Sequence, residues 1–310
     1  MGELLKQRMF AELSWHRVES TDISTQSFVV EREMNGGGII TMQADPTPYT
    51  DINELLERLL SGVQAVLGKK LVGLYLYGSL VTGDFDHGSS DIDLVAATSS
   101  EIDAKEFEAL QKMHADFADK HTNWQGRIEV QYLSVAALKT FKSKSSKMAA
   151  ISPGEPFHIK EAGKEWTINW YVVQEKGVTL VGPSPKTFID PISQEEFMQA
   201  IQEQAKQWSE RIPHLSKRQP SQAYAILTLC RALYSLKHGE QVSKKQAAVW
   251  AKKEYPEWSV CVQNALVWRE AWRDENVDHD ATFQETLRFV RFVISQCETP
   301  PGISQSDPLQ

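Results

Sequence analysis

The sequence predicts an α/β N-terminal domain with a mixed β-sheet, followed by an all-α C-terminal domain that forms a helical bundle. Two observations predict this division. Short buried-strand patterns alternate with helical patterns as far as residue 190, and from residue 191 onward the helical period continues alone. We therefore expect an extension of unknown role at residues 1–44, an α/β domain at residues 45–190 and a helical domain at residues 191–310.

Composition and charge restrict the class of protein. The 310 residues are 41% apolar and 24% charged, which is typical of a soluble globular chain. A formal net charge of −8 disfavours a nucleic-acid partner, because such proteins usually carry a basic excess. No apolar run approaches the roughly 18 residues that a membrane span needs, and the three cysteines lack a zinc or disulfide spacing. We expect a cytoplasmic protein and favour a monomer.

The α/β domain begins with a helix over residues 51–68. Asp51 and Glu54 have the spacing of a capping box, and Gly68 follows the last apolar position. The apolar residues share one helical stripe, which consists of Leu55, Leu56, Leu59, Leu60, Val63 and Leu67. We expect this stripe to lie against a sheet or another helix.

Three strands are expected next. The runs "KLVGLYLYGS" and "SDIDLVAAT" are short and apolar, and "GRIEVQYLS" alternates with a period of two. A helix capped by Ser100 separates the second strand from the third. Residues 139–190 are less regular, and we interpret their lysine run "KTFKSKSSK" as a solvated loop, with a substrate lid as the alternative.

The C-terminal half carries repeated helix start signals. Ser193 begins a capping-box pattern, and Ser221 and Ser243 are expected to begin two further helices. Two more helical stretches follow, at about residues 259–274 and 280–297. These patterns predict a helical bundle.

Two carboxylates lie close together on the second expected strand. Side chains alternate along a strand, so Asp91 and Asp93 share one face while Ile92 and Leu94 face the core. Carboxylate oxygens in this arrangement suit Mg²⁺, which accepts one or two protein carboxylates and keeps its other positions for water and phosphate. The pattern therefore predicts a magnesium site that also binds a phosphate group.

Gly78 and Ser79 follow the first strand and predict a phosphate-binding turn. Glycine lets backbone N–H groups approach an anion closely, and the serine hydroxyl can donate one more hydrogen bond. This pair, or the two aspartates, could by itself be an ordinary turn or strand end. Together with Glu129 on the third strand they indicate one site, because several buried acids need a cation to offset their charge.

These residues carry a resemblance to a known family. The stretch "GSLVTGDFDHGSSDIDLV" resembles the signature of the nucleotidyltransferase superfamily shared with DNA polymerase β. The segments "RIEV", "GPSPKTFIDP" and "LTLCRALYSLKHGEQVSKKQAAVWA" are similar to the aminoglycoside 3''/9-adenylyltransferases, the streptomycin and spectinomycin resistance enzymes. The resemblance extends over roughly residues 50–275.

The resemblance implies an enzyme that transfers AMP from ATP to a hydroxyl of an aminoglycoside or aminocyclitol and releases pyrophosphate. It implies that Asp91 and Asp93 bind Mg²⁺ and that Glu129 accepts the proton of the acceptor hydroxyl. Glu129 could instead be a third metal ligand, and the sequence leaves both roles open. The residues implied to hold the triphosphate at this end of the site are Gly78, Ser79 and Ser90.

Arg231, Lys244 and Trp272 complete the implied nucleotide site. Arg231 lies inside the apolar run "TLCRALYSL", so it either forms an internal ion pair or points into the cleft. By resemblance Arg231 and Lys244 reach the ATP phosphates, although Lys244 could equally be a surface lysine. Trp272 falls where the family has a tyrosine near the nucleotide, and a tryptophan at helical spacing is also typical of a core position.

One stretch departs from the family pattern. Relatives that modify streptomycin or spectinomycin carry acids just before the helix of Arg231, and those acids hold the cationic drug. Here the stretch reads "SKRQPSQAY", which is basic and neutral. Acids elsewhere that could replace them are Glu155, Glu161 and Asp190.

Two other functions stay open at this point. The same site could adenylylate a protein hydroxyl, or the chain could bind a nucleotide without catalysis. Nucleotide binding without catalysis is disfavoured, because the chain keeps Asp91, Asp93, Glu129 and the Gly-Ser pair. The expected partners are therefore ATP and a small-molecule hydroxyl acceptor.

Overall fold

The structure, a computed structural model, describes residues 42, 45–88, 90–214, 217–270 and 279–298. An α/β part with a mixed six-stranded sheet comes first, and several helices follow it. The predicted fold class is therefore confirmed.

The extension expected at residues 1–44 lies outside the described residues apart from Met42, and the boundary between residues 190 and 191 stays a prediction. None of the helices in the described ranges has the length and apolar character that crossing a bilayer requires.

The α/β part alternates helices and strands in the predicted order. Its first elements are α1 (Thr50–Leu67), β1 (Leu71–Tyr77), α2 (Ser79–Thr82), β2 (Ile92–Thr98), α3 (Ala104–Lys120) and β3 (Ile128–Ser134). It continues with α4 (Val135–Thr140), β4 (Ser146–Ser152), β5 (Glu155–Ala162), α5 (Thr167–Lys176) and β6 (Val178–Val181). The three strands that the sequence predicts are β1, β2 and β3.

Residues 139–190 are more regular than the sequence indicates. The lysine run ends inside β4, and β4 and β5 form an antiparallel hairpin whose turn contains Gly154 at a φ of 80°. Lys147 and Lys160 lie on this hairpin, and β5 is an edge strand of the sheet. Charged residues on edge strands prevent pairing with other chains, so an edge hairpin can have the composition of a loop.

The strand order of the sheet is β5-β4-β3-β2-β1-β6, with β2 and β3 parallel and the other neighbours antiparallel. The register places Tyr77 of β1 opposite Asp93 of β2, and Asp93 beside Glu129 of β3. Residues paired in this way project from the same face of a sheet. Their side chains therefore form one row.

One face of the sheet is covered by α1 and α3. Leu56 and Leu60 of α1 and Leu110 of α3 belong to the same buried cluster as Leu74 and Leu94 of the sheet. All six residues of the apolar stripe predicted for α1 are buried. Each such leucine contributes about 1.5–3 kcal/mol when it is removed from water, so the stripe holds α1 in place.

The other face is covered by the helical half. Its elements are α6 (Gln194–Arg211), α7 (Gln219–His238), α8 (Lys244–Glu254), α9 (Ser259–Glu270) and α10 (His279–Glu298). Tyr75 and Val95 of the sheet share a buried cluster with Phe197, Leu229 and Phe289 of these helices. Tyr75 and Val95 lie on the same face as the row formed by Tyr77, Asp93 and Glu129, so the helices cover the face that carries this row.

Several predicted helix ends are confirmed. Ser193 caps α6 and Ser243 caps α8, each with a capping box. Gly68 follows α1 at a φ of 49°, and Gly239 follows α7 at a φ of 71°. These glycines occupy a left-handed conformation that other residues adopt only at a cost in free energy.

The capping box predicted at Asp51 is wrong. The N-cap of α1 is Tyr49, and no side chain caps it. Instead Asn53 Oδ1 accepts hydrogen bonds from the backbone N–H of Thr47 at 3.1 Å and from its hydroxyl at 2.6 Å. Asn53 Nδ2 donates to the Thr47 carbonyl at 2.9 Å. A buried contact one turn into the helix therefore fixes the chain that enters α1.

The helix starts predicted at Ser100 and Ser221 are also wrong. α3 begins later, because Asp103 forms the capping box with Glu106. α7 begins before Ser221 and has Pro220 in its first turn. Proline is tolerated there because the first N–H groups of a helix have no partner within the helix.

The cap of α3 gives a test of local stability. Asp103→Ala is expected to lower the free energy of unfolding by about 1 kcal/mol, because the Glu106 N–H loses its acceptor. Ser100→Ala is the matched control and should change it by less than about 0.5 kcal/mol. Urea unfolding of both variants measures the difference, and equal losses would contradict the observed cap.

Candidate active site

Three acidic side chains meet on the face of the sheet that the helices cover. Asp91 immediately precedes β2, and Asp93 lies on the same side of the strand, while the buried Ile92 points to the opposite face. The parallel pairing of β2 with β3 puts Glu129 directly beside Asp93. All three acids line one cavity of about 660 Å³. The sheet therefore brings together acids that are far apart in the sequence.

The turn at Gly78 and Ser79 lies against these acids. Gly78 has a φ of 77°, and a Cβ atom there would lie 1.9 Å from Asp93 Oδ2. Glycine is therefore required for the turn to pass so close to the carboxylate. The Ser79 hydroxyl is buried and has no hydrogen-bond partner among the described residues, so a ligand oxygen would supply the missing partner.

The helical half supplies the opposite wall of the cavity. Arg231 of α7 and Lys244 of α8 line it. Lys244 Nζ lies 4.3 Å from the centre of the Tyr224 ring. Within the part of the chain that the structure describes, neither cation forms an ion pair. Of the two placements that the sequence leaves open for Arg231, the structure has the one in the cleft.

Burial shifts the pKa values of both cations. Burial, together with the positive charges of Arg231 and Arg269, lowers the pKa of Lys244 to about 7. Burial also lowers the pKa of Arg231. Enclosed positive charges that repel one another favour the binding of an anion, since the anion offsets both the lost hydration and the repulsion.

The pKa values of the acids shift in the opposite direction. Burial raises the pKa of Asp93 to about 7, and the negative charges of Glu129 and Asp91 add to this rise. Burial also raises the pKa of Glu129. Carboxylates held this close together are costly when ionised, and a cation bound at Asp91 and Asp93 would reduce that cost.

Asp91 and Asp93 fit a hard divalent cation. They offer carboxylate oxygens from one side of the chain, and burial, followed by the negative charges of Glu129 and Asp91, raises the pKa of Asp93. Mg²⁺ prefers such oxygen ligands and retains water or phosphate at its other positions. Among the described residues, no group of three or more His, Cys, Asp and Glu side chains is arranged to hold a metal ion.

The predicted site residues that the structure describes all line this cavity: Gly78, Ser79, Ser90, Asp91, Asp93, Glu129, Arg231 and Lys244. Trp272 lies outside the described residues. The Ser90 hydroxyl accepts a hydrogen bond from the backbone N–H of Asp86 at 2.9 Å, so this side chain also supports the loop before β2. The individual roles of these residues stay predictions.

The sequence did not indicate the contact of Asp84 with the helical half. Asp84 Oδ2 accepts a hydrogen bond from Arg269 at 3.2 Å and another from the backbone N–H of Lys245 at 3.3 Å. Both Asp84 and Arg269 line the cavity. Asp84 and Arg269 are 185 residues apart in the chain and belong to no shared motif, so no local pattern could have paired them.

Sequence reasoning also missed Tyr77 and Gln131. Gln131 Nε2 donates a hydrogen bond to Glu129 Oε1, and the Tyr77 hydroxyl donates to Gln131 Oε1 at 3.1 Å. One signal could have indicated Gln131, since a residue two positions after Glu129 on a strand projects from the same face.

The acids expected to replace the family's drug-binding acids do not line this cavity: Glu155, Glu161 and Asp190. Two other acids, Glu165 and Glu203, line it instead. Glu203 lies 3.4 Å from Lys164 Nζ, and Glu165 Oε1 accepts a hydrogen bond from a backbone N–H at 2.8 Å. The turn before α5 and one face of α6 therefore place acids where no local motif predicts them.

Two family models match the chain. The model of the nucleotidyltransferase domain matches residues 53–152, and the model of the aminoglycoside adenylyltransferase C-terminal domain matches residues 187–296. The resemblance that the sequence indicates is therefore confirmed in both halves.

Comparison with single proteins gives two further similarities. The aminoglycoside (3'') (9) adenylyltransferase of Rhizobium radiobacter is 33% identical over 121 residues, which cover 39% of this chain and 43% of that protein. The chain thus matches less than half the length of this relative. The crystal structure of spectinomycin adenyltransferase AAD(9) from Enterococcus faecialis with ATP and spectinomycin has a TM-score of 0.63 and 17% identity, and it covers 80% of this chain and 99% of that chain. Similarity at this level of identity shows a shared fold.

The contact of Gly78 with Asp93 gives a sharp test. Gly78→Ala is expected to abolish the nucleotide binding proposed below, because the new methyl group would displace the Asp93 carboxylate. Gly83→Ala is the matched control, since Gly83 has a φ of 75° but open space around its Cβ position. The control should cost only about 1–2 kcal/mol of stability from backbone strain. Calorimetry and thermal melts separate the two effects, and equal ATP affinities would contradict the contact.

The raised pKa of Asp93 predicts that replacing this residue with asparagine stabilises the fold more at high pH than at low pH. Between 3.8 and about 7 the folded protein holds a proton on Asp93 that the unfolded chain releases. The protonated carboxyl group of Asp93 therefore contributes its full stability below pH 3.8, the pKa in the unfolded chain. This contribution is lost as the pH rises through about 7. Because asparagine stays uncharged, Asp93→Asn should stabilise the metal-free protein more at pH 8 than at pH 5.

Urea unfolding in EDTA at both pH values measures this gain. The control is Asp116→Asn, since Asp116 forms an exposed pair with Lys112 and such pairs contribute little. A gain for Asp93→Asn that is equal at both pH values would contradict the raised pKa.

Proposed function

We propose that this chain, which joins a nucleotidyltransferase domain to an aminoglycoside adenylyltransferase C-terminal domain, transfers AMP from ATP to a hydroxyl group of an aminoglycoside or aminocyclitol. One observation carries the proposal. A single cavity has carboxylates on the wall formed by the sheet and enclosed cations on the wall formed by the helices. A nucleoside triphosphate with a divalent cation has the complementary distribution of charge.

Asp91 and Asp93 are the residues that would hold the divalent cation. Bound there, Mg²⁺ would neutralise the triphosphate and polarise its α-phosphate. Burial and the neighbouring acids raise the pKa of Asp93 to about 7, and a cation bound there would lower it again and favour the ionised carboxylate. Gly78 keeps the neighbouring turn clear of this carboxylate.

Arg231, Lys244 and Ser79 would hold the triphosphate. The phosphates would raise the lowered pKa of Lys244 again, so binding and protonation of Lys244 support each other. The buried Ser79 hydroxyl would donate to a phosphate oxygen. These contacts neutralise the charge on the leaving pyrophosphate, which is the main requirement of phosphoryl-transfer chemistry.

Glu129 would act as the general base. Burial raises the pKa of its carboxyl group, which strengthens it as a proton acceptor near neutral pH. The acceptor oxygen attacks the α-phosphorus as its proton passes to Glu129. The bond between the α-phosphorus and the bridging oxygen breaks, and pyrophosphate leaves.

The acceptor is proposed from both the cavity and the comparisons. One relative is an aminoglycoside (3'') (9) adenylyltransferase, and the similar structure contains ATP and spectinomycin. Glu165 and Glu203 line the cavity and can pair with the amino groups of such a molecule. They would take the place of the acids that the family carries before α7, where this chain has Lys217 and Arg218.

The experiment uses ATP labelled in the α-phosphate together with a panel of aminoglycosides and aminocyclitols. Label on a drug supports the proposal, and label on protein would indicate a protein acceptor. Binding of ATP without any transfer would indicate a non-catalytic nucleotide-binding protein.

Glu129→Gln is expected to lower the rate of AMP transfer by roughly 10²- to 10⁴-fold, because the acceptor hydroxyl loses its base. Glu108→Gln is the matched control and should keep the rate, since Glu108 is exposed on α3, which covers the opposite face of the sheet. Initial rates with labelled ATP measure both variants. A Glu129→Gln variant as fast as the control would remove Glu129 from the mechanism.

A further inference from the structure

We propose that Gln131 and Tyr77 position the Glu129 carboxylate, so that Oε1 is held in place and Oε2 takes the proton of the acceptor hydroxyl. The inference rests on the proposed function of this site. It adds two positioning residues, and it distinguishes the two oxygens of the base.

The two oxygens of Glu129 have different surroundings. Gln131 Nε2 donates a hydrogen bond to Oε1. Oε2 forms no hydrogen bond or ion pair with any residue in the described ranges, and Glu129 lines the cavity. Oε1 is therefore bound to the protein, and Oε2 is the oxygen that a ligand hydroxyl can reach.

Tyr77 holds the Gln131 amide in place. Its ring extends from β1 across β2, and its hydroxyl lies 3.1 Å from Gln131 Oε1 and 2.9 Å from Gln131 Nε2. Gln131 Nε2 donates one hydrogen to this hydroxyl and the other to Glu129 Oε1, and the hydroxyl donates to Gln131 Oε1. The opposite amide orientation would place two oxygens against each other at Glu129, so the carboxylate selects this orientation and Tyr77 holds the amide in it.

The surroundings of Gln131 argue against a purely structural role. Gln131 is fully buried, and its partners in the sheet register are Val95 and Ala150. Both neighbours belong to the apolar cluster beneath the helices. An apolar residue would fill this position without the cost of burying an amide, whereas glutamine supplies a donor to Glu129.

Holding the base matters because proton transfer depends on geometry. A general base must lie within hydrogen-bond reach of the proton that it accepts, and small misplacements of reacting groups reduce rates strongly. A carboxylate free to rotate would offer either oxygen at varying distances. The bond from Gln131 removes this freedom at one oxygen only.

A double-mutant cycle tests the proposal. Gln131→Leu should lower kcat roughly 10- to 100-fold, while KM for ATP stays within about twofold. In the Glu129→Gln background the same substitution should cause no further loss, because Gln131 acts through Glu129. An equal loss in both backgrounds would show a structural role and overturn the proposal.

Two tyrosine variants keep the test decisive if Gln131→Leu does not fold. Tyr77→Phe should lower kcat severalfold, since the amide of Gln131 loses the two hydrogen bonds that hold it in place. Tyr75→Phe is the matched control on the same strand and face, because the Tyr75 hydroxyl donates to the Pro183 carbonyl at 2.8 Å, away from Glu129. Equal kcat values for the two variants would overturn the role of Tyr77.

Nuclear magnetic resonance of the ligand-free protein separates failure of the inference from failure of the proposed function. Wild-type protein that modifies no acceptor would refute the proposed function. In protein labelled with ¹⁵N-glutamine, Glu129→Ala should shift the side-chain amide signal of Gln131, while Glu155→Ala should leave it in place. An unchanged signal in Glu129→Ala would overturn the pairing whether or not the enzyme is active.

Discussion

The candidate site depends on the register of three neighbouring strands. Because β2 is parallel to β3 and antiparallel to β1, Tyr77, Asp93 and Glu129 lie in one row on the face that the helices cover. A shift of one residue in either pairing would turn one of these side chains to the opposite face. That register is specified by apolar residues that alternate with the row, since Leu94 and Val130 are fully buried on the other face. The core that stabilises the sheet therefore also fixes how the polar groups meet.

Opposite charges lie on opposite walls of the cavity, and each wall comes from a different part of the chain. The pKa of Asp93 is raised to about 7 by burial and neighbouring acids, whereas the pKa of Lys244 is lowered to about 7 by burial and neighbouring cations. Burial is the main cause of both shifts, so the charged forms are disfavoured on both walls. A ligand with phosphates and a bound divalent cation would offset this cost on both walls at once.

The sequence predicts those features that local periodicity encodes. The strands β1, β2 and β3 and the apolar stripe of α1 follow from burial on a fixed face, which leaves a period in the sequence. Helix starts are harder, because several polar residues near a start can serve as a cap and long-range contacts select among them. At α1 the bonds between Thr47 and Asn53 replace a cap at Asp51. Contacts such as that of Asp84 with Arg269 leave no local period and have to be read from the fold.

The contact of Asp84 explains how three cations can share one wall. Arg231 and Arg269 both lower the pKa of Lys244, so an unpaired Arg269 would favour the uncharged form of that lysine. Asp84 neutralises Arg269 through an ion pair of 3.2 Å and also accepts a hydrogen bond from the backbone N–H of Lys245, the residue after Lys244. The loop that carries Asp84 follows directly from the turn at Gly78 and Ser79. One carboxylate thus joins the loop after α2 to the start of α8, and its negative charge also favours the charged form of Arg231.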